Sequence, residues 1–107
     1  MVDLKELVEW ALDAKREIEQ GYNGCYFQRL GASNFEGKDL YIVIGENAEG
    51  EICAKLAYNC DDLQCDYDFD WYMPYDSESG EVYCIEGECT ADIVEYIVNT
   101  YNKRFAA

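Results

Sequence analysis

The sequence of 107 residues contains no histidine, and this absence removes most of the common catalytic chemistries. Histidine is the usual general base near neutral pH, a common metal ligand and the usual partner of a nucleophilic cysteine. The chain also lacks a glycine-rich loop of the kind that binds phosphates. We therefore expect that the protein is not an enzyme and that it carries no cofactor.

Basic residues are also scarce. The chain has 8 lysines and arginines against 23 acidic residues, which gives a net charge of −15. The imbalance is concentrated in residues 46–95, which hold 15 acidic residues and a single base, Lys55. Such a charge repels nucleic acid and anionic membranes, so we expect neither as a direct partner. The expected partner is a basic protein, and a nucleic-acid-binding protein has the required surface.

No apolar run is long enough to span a membrane, and the first residues, Met1 to Glu6, include three charged side chains. This start lacks the apolar region of a secretory signal peptide, so we expect a cytoplasmic protein. Its six cysteines are then expected to remain reduced. Half of the residues are hydrophobic, and the length fits one acidic domain over residues 1–107.

Two helices are predicted, one at each end of the chain. The first covers about residues 4–20, with Asp3 as its cap and Gly21 as the residue that ends it. The second begins at Thr90, a predicted cap. Strands are predicted between them at 25–30, 39–45, 51–60, 65–73 and 81–86. The order α-β-β-β-β-β-α predicts an α+β fold, an antiparallel meander of about four to five strands with both helices packed on one face.

The stretch 65–73 alternates most clearly, with apolar residues at odd positions and acids at most even positions. Pairing it with residues 52–60 across a short loop would place Ala54 opposite Trp71 and Lys55 opposite Asp70. The preceding hairpin is predicted to place Gly45 opposite Glu51. In this arrangement the helices cover the aromatic side of the strand, and its acidic side faces solvent.

We interpret the acidic side of this strand as the candidate partner-binding surface. Three carboxylates at alternate positions of a strand lie about 6.5–7 Å apart, and such a row can imitate a short run of phosphates. The alternative is an ordinary solvated face, as in an adaptor domain whose charge serves only solubility. The candidate partner-binding residues are Asp66, Asp68, Asp70, Tyr72, Asp61, Asp62, Glu78, Glu81 and Glu86.

Two groups of residues have spacings that resemble metal sites. The Cys-x4-Cys pairs at 60–65 and 84–89 offer four thiolates for zinc, although the spacing is wider than usual. The Asp-x-Asp-x-Asp run at 66–70 matches the start of an EF-hand loop, but Trp71 and Ser77 stand where glycine and glutamate are required. We expect reduced structural cysteines and no metal. The alternatives are a small four-cysteine zinc protein and, in an oxidising setting, disulfides such as Cys60–Cys65.

The row formed by Asp66, Asp68 and Asp70, the acidic segment 46–95, the small size and the helix–sheet–helix order resemble the phage-encoded anti-CRISPR proteins and related DNA mimics. That family has no common sequence fingerprint, so the resemblance transfers no site residue. It implies a stoichiometric inhibitor in the cytoplasm of a bacterial host. Such an inhibitor mimics DNA or RNA phosphates and occupies the basic groove of a CRISPR effector.

Overall fold

A computed structural model describes residues 3–21, 25–32, 39–58, 82–85 and 89–104, which form an α+β arrangement. Its described strands are antiparallel and lie side by side in the order in which they follow one another along the chain. This confirms the predicted α+β class, while the predicted strand 65–73 lies outside the described residues. The elements are α1 (Leu4–Glu19), β1 (Tyr26–Ala32), β2 (Asp39–Glu46), β3 (Ile52–Tyr58), β4 (Val82–Cys84) and α2 (Thr90–Arg104).

Helix α1 begins and ends as the sequence predicts. The Asp3 carboxylate accepts hydrogen bonds from the backbone N–H groups of Lys5 at 3.0 Å and Glu6 at 3.4 Å. These bonds satisfy two of the N–H groups that have no partner within a helix. Gly21 follows the helix with φ of 94°, a conformation that glycine adopts without a steric cost. The buried residues of α1 are Leu7, Ala11, Ala14 and Ile18.

The predicted role of Thr90 as the cap of α2 is wrong. The backbone N–H of Ile93 donates to the carbonyl of Cys89 at 3.0 Å, so Cys89 holds the capping position and Thr90 is the first helical residue. The Thr90 side chain is 2% exposed, and its hydroxyl donates to the carbonyl of Ile85 at 3.1 Å. A buried hydroxyl requires a partner, and this bond connects the start of α2 to the residue that follows β4.

The β2–β3 hairpin differs from its predicted register by two residues. Gly45 lies opposite Cys53 and not opposite Glu51. The reason is a tight turn at Asn47, whose backbone N–H donates to the carbonyl of Glu51 at 2.9 Å, while Gly50, with φ of 83°, donates to the carbonyl of Asn47 at 3.0 Å. A shift of two residues leaves every side chain on its predicted face, because side chains alternate with a period of two.

The neighbour of β3 is also different from the predicted one. Ala54 lies opposite Tyr83 of β4, whereas the sequence pattern predicts Trp71 as its partner, a residue outside the described ones. The residues around β4 have the same alternation of inward and outward side chains as the predicted strand. Tyr83 is partly buried and packs against the core, and Ile85 is fully buried. Strand β4 thereby occupies the edge of β3 along its first half, with the pairs Cys53–Cys84, Ala54–Tyr83 and Lys55–Val82.

The main core lies between one face of the sheet and the two helices. Residues of α1 and α2 form a single buried cluster with inward residues of the strands, which places both helices on this face. Among the described residues, neither helix has the length and apolar character needed to cross a membrane. The inward strand residues are Leu30, Leu40, Ile42, Ile44, Ile52, Ala54 and Leu56, joined by Ile85 after β4.

Candidate functional site

All of the predicted partner-binding residues lie outside the described residues, so their roles stay predictions. They are Asp61, Asp62, Asp66, Asp68, Asp70, Tyr72, Glu78, Glu81 and Glu86. The structure does describe the strands that precede and follow most of them in sequence, since β3 ends at Tyr58 and β4 begins at Val82. It also describes acidic residues of the segment 46–95 that are not among the candidates.

The sheet face opposite the helices is buried at its centre. Val43 is fully buried and Cys53 is 3% exposed, and together with Cys25 and Ala57 they form a second apolar cluster. Two aromatic rings border this cluster, with Phe27 packed edge-on against Tyr41 at 5.8 Å between ring centres. The expectation that this face would be open to solvent is therefore wrong for the described strands. The described side chains of this face are mostly apolar, and removing apolar surface from water is favourable.

Lys55 lies on the sheet face opposite the helices, which we call the second face. It stands between Cys53 and Ala57 along β3 and opposite Val43 of β2. Its side chain is 4% exposed, although the sequence pattern predicts a solvent-facing lysine. Lysine is rarely buried to this extent, because an ammonium group loses its hydration. Since Lys55 is the single base of residues 46–95, its burial removes that segment's one positive charge from the surface.

The β2–β3 turn presents three carboxylates at one end of the sheet. Asn47 shapes this turn, because its side-chain oxygen accepts the backbone N–H groups of Glu49 at 3.0 Å and Glu51 at 2.9 Å. Glu46 and Glu49 are exposed and Glu51 is half-buried. The sequence pattern predicts only a turn at Glu46 and Glu49 and the start of a strand at Glu51, with no binding role for any of the three. A signal for them was present in the sequence, because all three belong to the acidic segment 46–95. In that segment the predicted turns carry acidic residues as the predicted strands do.

The described ion pairs engage two of the exposed bases. The Arg29 guanidinium donates to both carboxylate oxygens of Asp39, with Nε–Oδ2 at 2.9 Å and Nη2–Oδ1 at 3.2 Å. These hydrogen bonds and the attached charge hold the pKa of Asp39 below its usual range and raise the pKa of Arg29. Arg16 makes a second, fully exposed pair with Asp13 at 2.9 Å. Both pairs reduce the positive charge available to an incoming anion.

A polar cleft of about 440 Å³ lies between the start of α1 and β1. Leu7 and Leu30 contribute apolar surface, Trp10 lines it, and Asp3 and Glu6 bring carboxylates. The Asp3 carboxylate is already engaged in capping α1. The lining residues, which also include Gln28 and Arg29, contain no nucleophile next to a general base, so this cleft has no arrangement suited to covalent catalysis.

Four of the six cysteines are described, and all four are thiols. Cys25 and Cys53 are buried on the second face, while Cys84 and Cys89 are exposed. No group of three or more cysteine, aspartate or glutamate side chains within the described residues is placed to hold a metal ion. Cys60 and Cys65, the other half of the zinc alternative, lie outside those residues.

The geometry thus combines a buried apolar second face, a buried lysine and an exposed set of carboxylates at the β2–β3 turn. Comparison of the chain with protein-family models, curated proteins and solved structures finds no match.

Proposed function

We propose that this protein is an acidic binding protein that inhibits a nucleic-acid-binding protein by occupying its basic groove, and that this target is a CRISPR effector in a bacterial cytoplasm. The carboxylates of the chain take the place of DNA or RNA phosphates in the groove. The proposal assigns the main contacts to Asp66, Asp68 and Asp70, with Tyr72 beside them to stack on arginine or lysine.

The observation that carries the proposal is the burial of Lys55. Residues 46–95 contain 15 acidic residues and this single base, and the base is 4% exposed. The exposed described charges of the segment are therefore all negative, at Glu46, Glu49, Asp92 and Glu95. A surface with one sign of charge attracts a basic partner over a distance comparable to the Debye length, about 8–10 Å near physiological salt.

A purified CRISPR effector loaded with guide RNA provides the direct test. Binding of fluorescent target DNA to the effector is measured by anisotropy while the protein is titrated in. We expect the protein to raise the apparent Kd for DNA, and we expect this effect to weaken as salt is increased, because long-range attraction is screened. If no tested effector loses DNA affinity at micromolar protein concentrations, the proposal is wrong.

Two variants that lose the same number of charges distinguish the effect of the row Asp66, Asp68 and Asp70 from the effect of net charge. Asp66→Asn/Asp68→Asn/Asp70→Asn removes three negative charges from the proposed contact. Its inhibition should weaken by at least about tenfold, a loss of about 1.4 kcal/mol. The control Glu9→Gln/Glu17→Gln/Glu19→Gln removes the same charge from exposed positions of α1 and should change inhibition by less than about threefold. Equal losses in both variants would show that only total charge matters.

A further inference from the structure

Cys53 of β3 and Cys84 of β4 lie directly opposite each other in the sheet. The adjacent pair exchanges a ladder hydrogen bond, since the N–H of Ile85 donates to the carbonyl of Ile52 at 2.9 Å. Hydrogen-bonded and non-hydrogen-bonded pairs alternate along an antiparallel ladder, so Cys53 and Cys84 form a pair of the second kind. The α-carbons of such a pair lie about 4.5 Å apart and their side chains point to the same face.

We propose that Cys53 and Cys84 form a reversible dithiol–disulfide pair that is oxidised by low-molecular-weight disulfides such as glutathione disulfide. A disulfide requires α-carbons about 4.4–6.8 Å apart, and a directly opposed pair lies at the short end of this range. A bond at the edge of the favoured geometry is more easily reduced again. The proposal concerns these two thiols alone and does not depend on the identity of the binding partner.

The two thiols differ in exposure to solvent, and this difference decides which of them reacts first. Cys84 is exposed, whereas Cys53 is 3% exposed and its sulfur accepts a hydrogen bond from the Asn47 side-chain amide at 3.6 Å. The Cys84 thiolate attacks one sulfur of glutathione disulfide, which forms a mixed disulfide and releases one glutathione. The Cys53 thiolate, which the amide donor stabilises, then attacks the Cys84 sulfur and releases the second glutathione.

The step is balanced in atoms and electrons. Two cysteine thiols are oxidised to one disulfide, and one glutathione disulfide is reduced to two glutathione thiols. The two protons lost by Cys53 and Cys84 end on the two released glutathione sulfurs. No metal or further oxidant is required.

Of the other two described cysteines, Cys25 is too far from Cys53 to form this bond. Cys25 precedes Tyr26, which pairs with Ile44, so Cys25 lies beside Gly45 and two strands away from Cys53. Two strand spacings correspond to about 9.5 Å, which is outside disulfide range. The Cys89 thiol donates to the backbone carbonyl of Cys84 at 3.8 Å, so it lies near Cys84 and is the competing partner that the experiment must distinguish from Cys53.

A Cys53–Cys84 bond would close a loop around residues 54–83. This loop contains every predicted partner-binding residue except Glu86. Cross-linking the ends of a loop restricts its unfolded conformations, so oxidation is expected to raise the midpoint of thermal unfolding. The oxidised protein should therefore unfold at a higher temperature than the reduced protein in the same buffer.

The test uses the full chain in buffers with increasing ratios of glutathione disulfide to glutathione. Remaining thiols are alkylated after denaturation, and the cross-linked peptides are identified by mass spectrometry. We expect two of the six thiols to be lost, a mass decrease of two hydrogens and a peptide that joins Cys53 to Cys84. A Cys84–Cys89 peptide, or a stable glutathione adduct on Cys84 in the unaltered chain, would overturn the proposal.

Three variants check the assignment. Cys53→Ala should accumulate the glutathione adduct on Cys84, because the resolving thiol is missing. Cys84→Ser should lose no thiols in this redox range, and Cys89→Ser should form the disulfide as the unaltered chain does. If Cys89→Ser abolishes the oxidation, Cys89 is the true partner and the proposal is wrong. Circular dichroism of each variant verifies the fold, and the peptide mapping of the unaltered chain stands without the variants.

Discussion

The α-carbon of Gly31 in β1 lies against the phenol of Tyr101 in α2. A β-carbon at Gly31 would overlap the Tyr101 hydroxyl and approach its ring carbon Cζ to 3.1 Å. Gly31 follows the irregularity in the β1–β2 register after Arg29, and Tyr101 is 7% exposed in the main core. The missing side chain at Gly31 therefore allows the end of α2 to approach the edge of the sheet.

This contact predicts that Gly31→Ala destabilises the protein. Because Tyr101 is buried and cannot move into solvent, the added methyl group should cost about 1–3 kcal/mol of unfolding free energy. Urea unfolding followed by circular dichroism gives the value. Tyr101→Phe removes the hydroxyl oxygen, which is the atom nearest to the added methyl group. The double variant Gly31→Ala/Tyr101→Phe should therefore lose less unfolding free energy than the two single variants lose together. Strict additivity would show that the overlap is not the cause.

The capping of α1 predicts a smaller, local effect. Asp3→Ala removes the acceptor of two backbone N–H groups and should lower the unfolding free energy by about 1 kcal/mol. Asp3→Asn keeps a side-chain oxygen and should lose clearly less. If Asp3→Ala and Asp3→Asn lose the same unfolding free energy, the effect comes from the charge at the helix terminus and not from the hydrogen bonds.

The burial of Lys55 predicts a strong response to charge reversal. Lys55→Glu places a carboxylate at a buried position of a protein with net charge −15, and should cost at least about 3 kcal/mol or prevent folding. Lys5→Glu makes the same charge change at an exposed position in the first turn of α1 and should stay within about 0.5 kcal/mol. Thermal unfolding of both variants provides the comparison. Similar stabilities would contradict the burial of Lys55.

The Arg29–Asp39 pair predicts a pH dependence. The pKa of Asp39 is lower in the folded state than in the unfolded state, chiefly because the carboxylate accepts hydrogen bonds from Arg29. The resulting stabilisation is present above the unfolded pKa and is lost as the pH falls through the folded pKa. A carboxyl-carbon NMR titration should give Asp39 a midpoint below the ordinary value of about 3.9. Arg29→Gln should raise this midpoint.

The matched control for this titration is Arg16→Gln. It removes the same charge from the exposed pair with Asp13 and should leave the Asp39 midpoint unchanged. The difference in stability between the unaltered chain and Arg29→Gln should also disappear at low pH, where Asp39 is protonated in both. A difference that persists there would show that Arg29 acts through packing and not through the carboxylate.

Several elements were predictable because they depend on local chemistry. The limits of α1 follow from Asp3 and Gly21, whose side chain and backbone have fixed preferences at helix ends. The two faces of β2 and β3 follow from side-chain alternation, which explains why a register error of two residues did not move Val43 from its face. The roles of the predicted partner-binding residues stay predictions, since those residues lie outside the described ones.

Other features depended on contacts between distant residues. The continuous apolar run from Leu40 to Ile44 was a signal that both faces of β2 are buried, because a half-exposed strand alternates more strictly. The alternation of 65–73 with β3 was internally consistent, yet β4 has the same pattern and pairs with Cys53, Ala54 and Lys55. Alternation alone does not identify which of two predicted strands pairs with β3.

The α+β class, the limits of α1, the sides on which strand residues lie and the excess of negative charge follow from the amino-acid sequence, because they depend on neighbours in the chain or on composition. Four other features became known from the packing of the folded chain: β4 borders β3, the Thr90 hydroxyl donates to Ile85, Lys55 is buried and Cys53 faces Cys84. Each of these depends on which distant segments share a sheet edge or a core, and sequence periodicity carries no information on that choice.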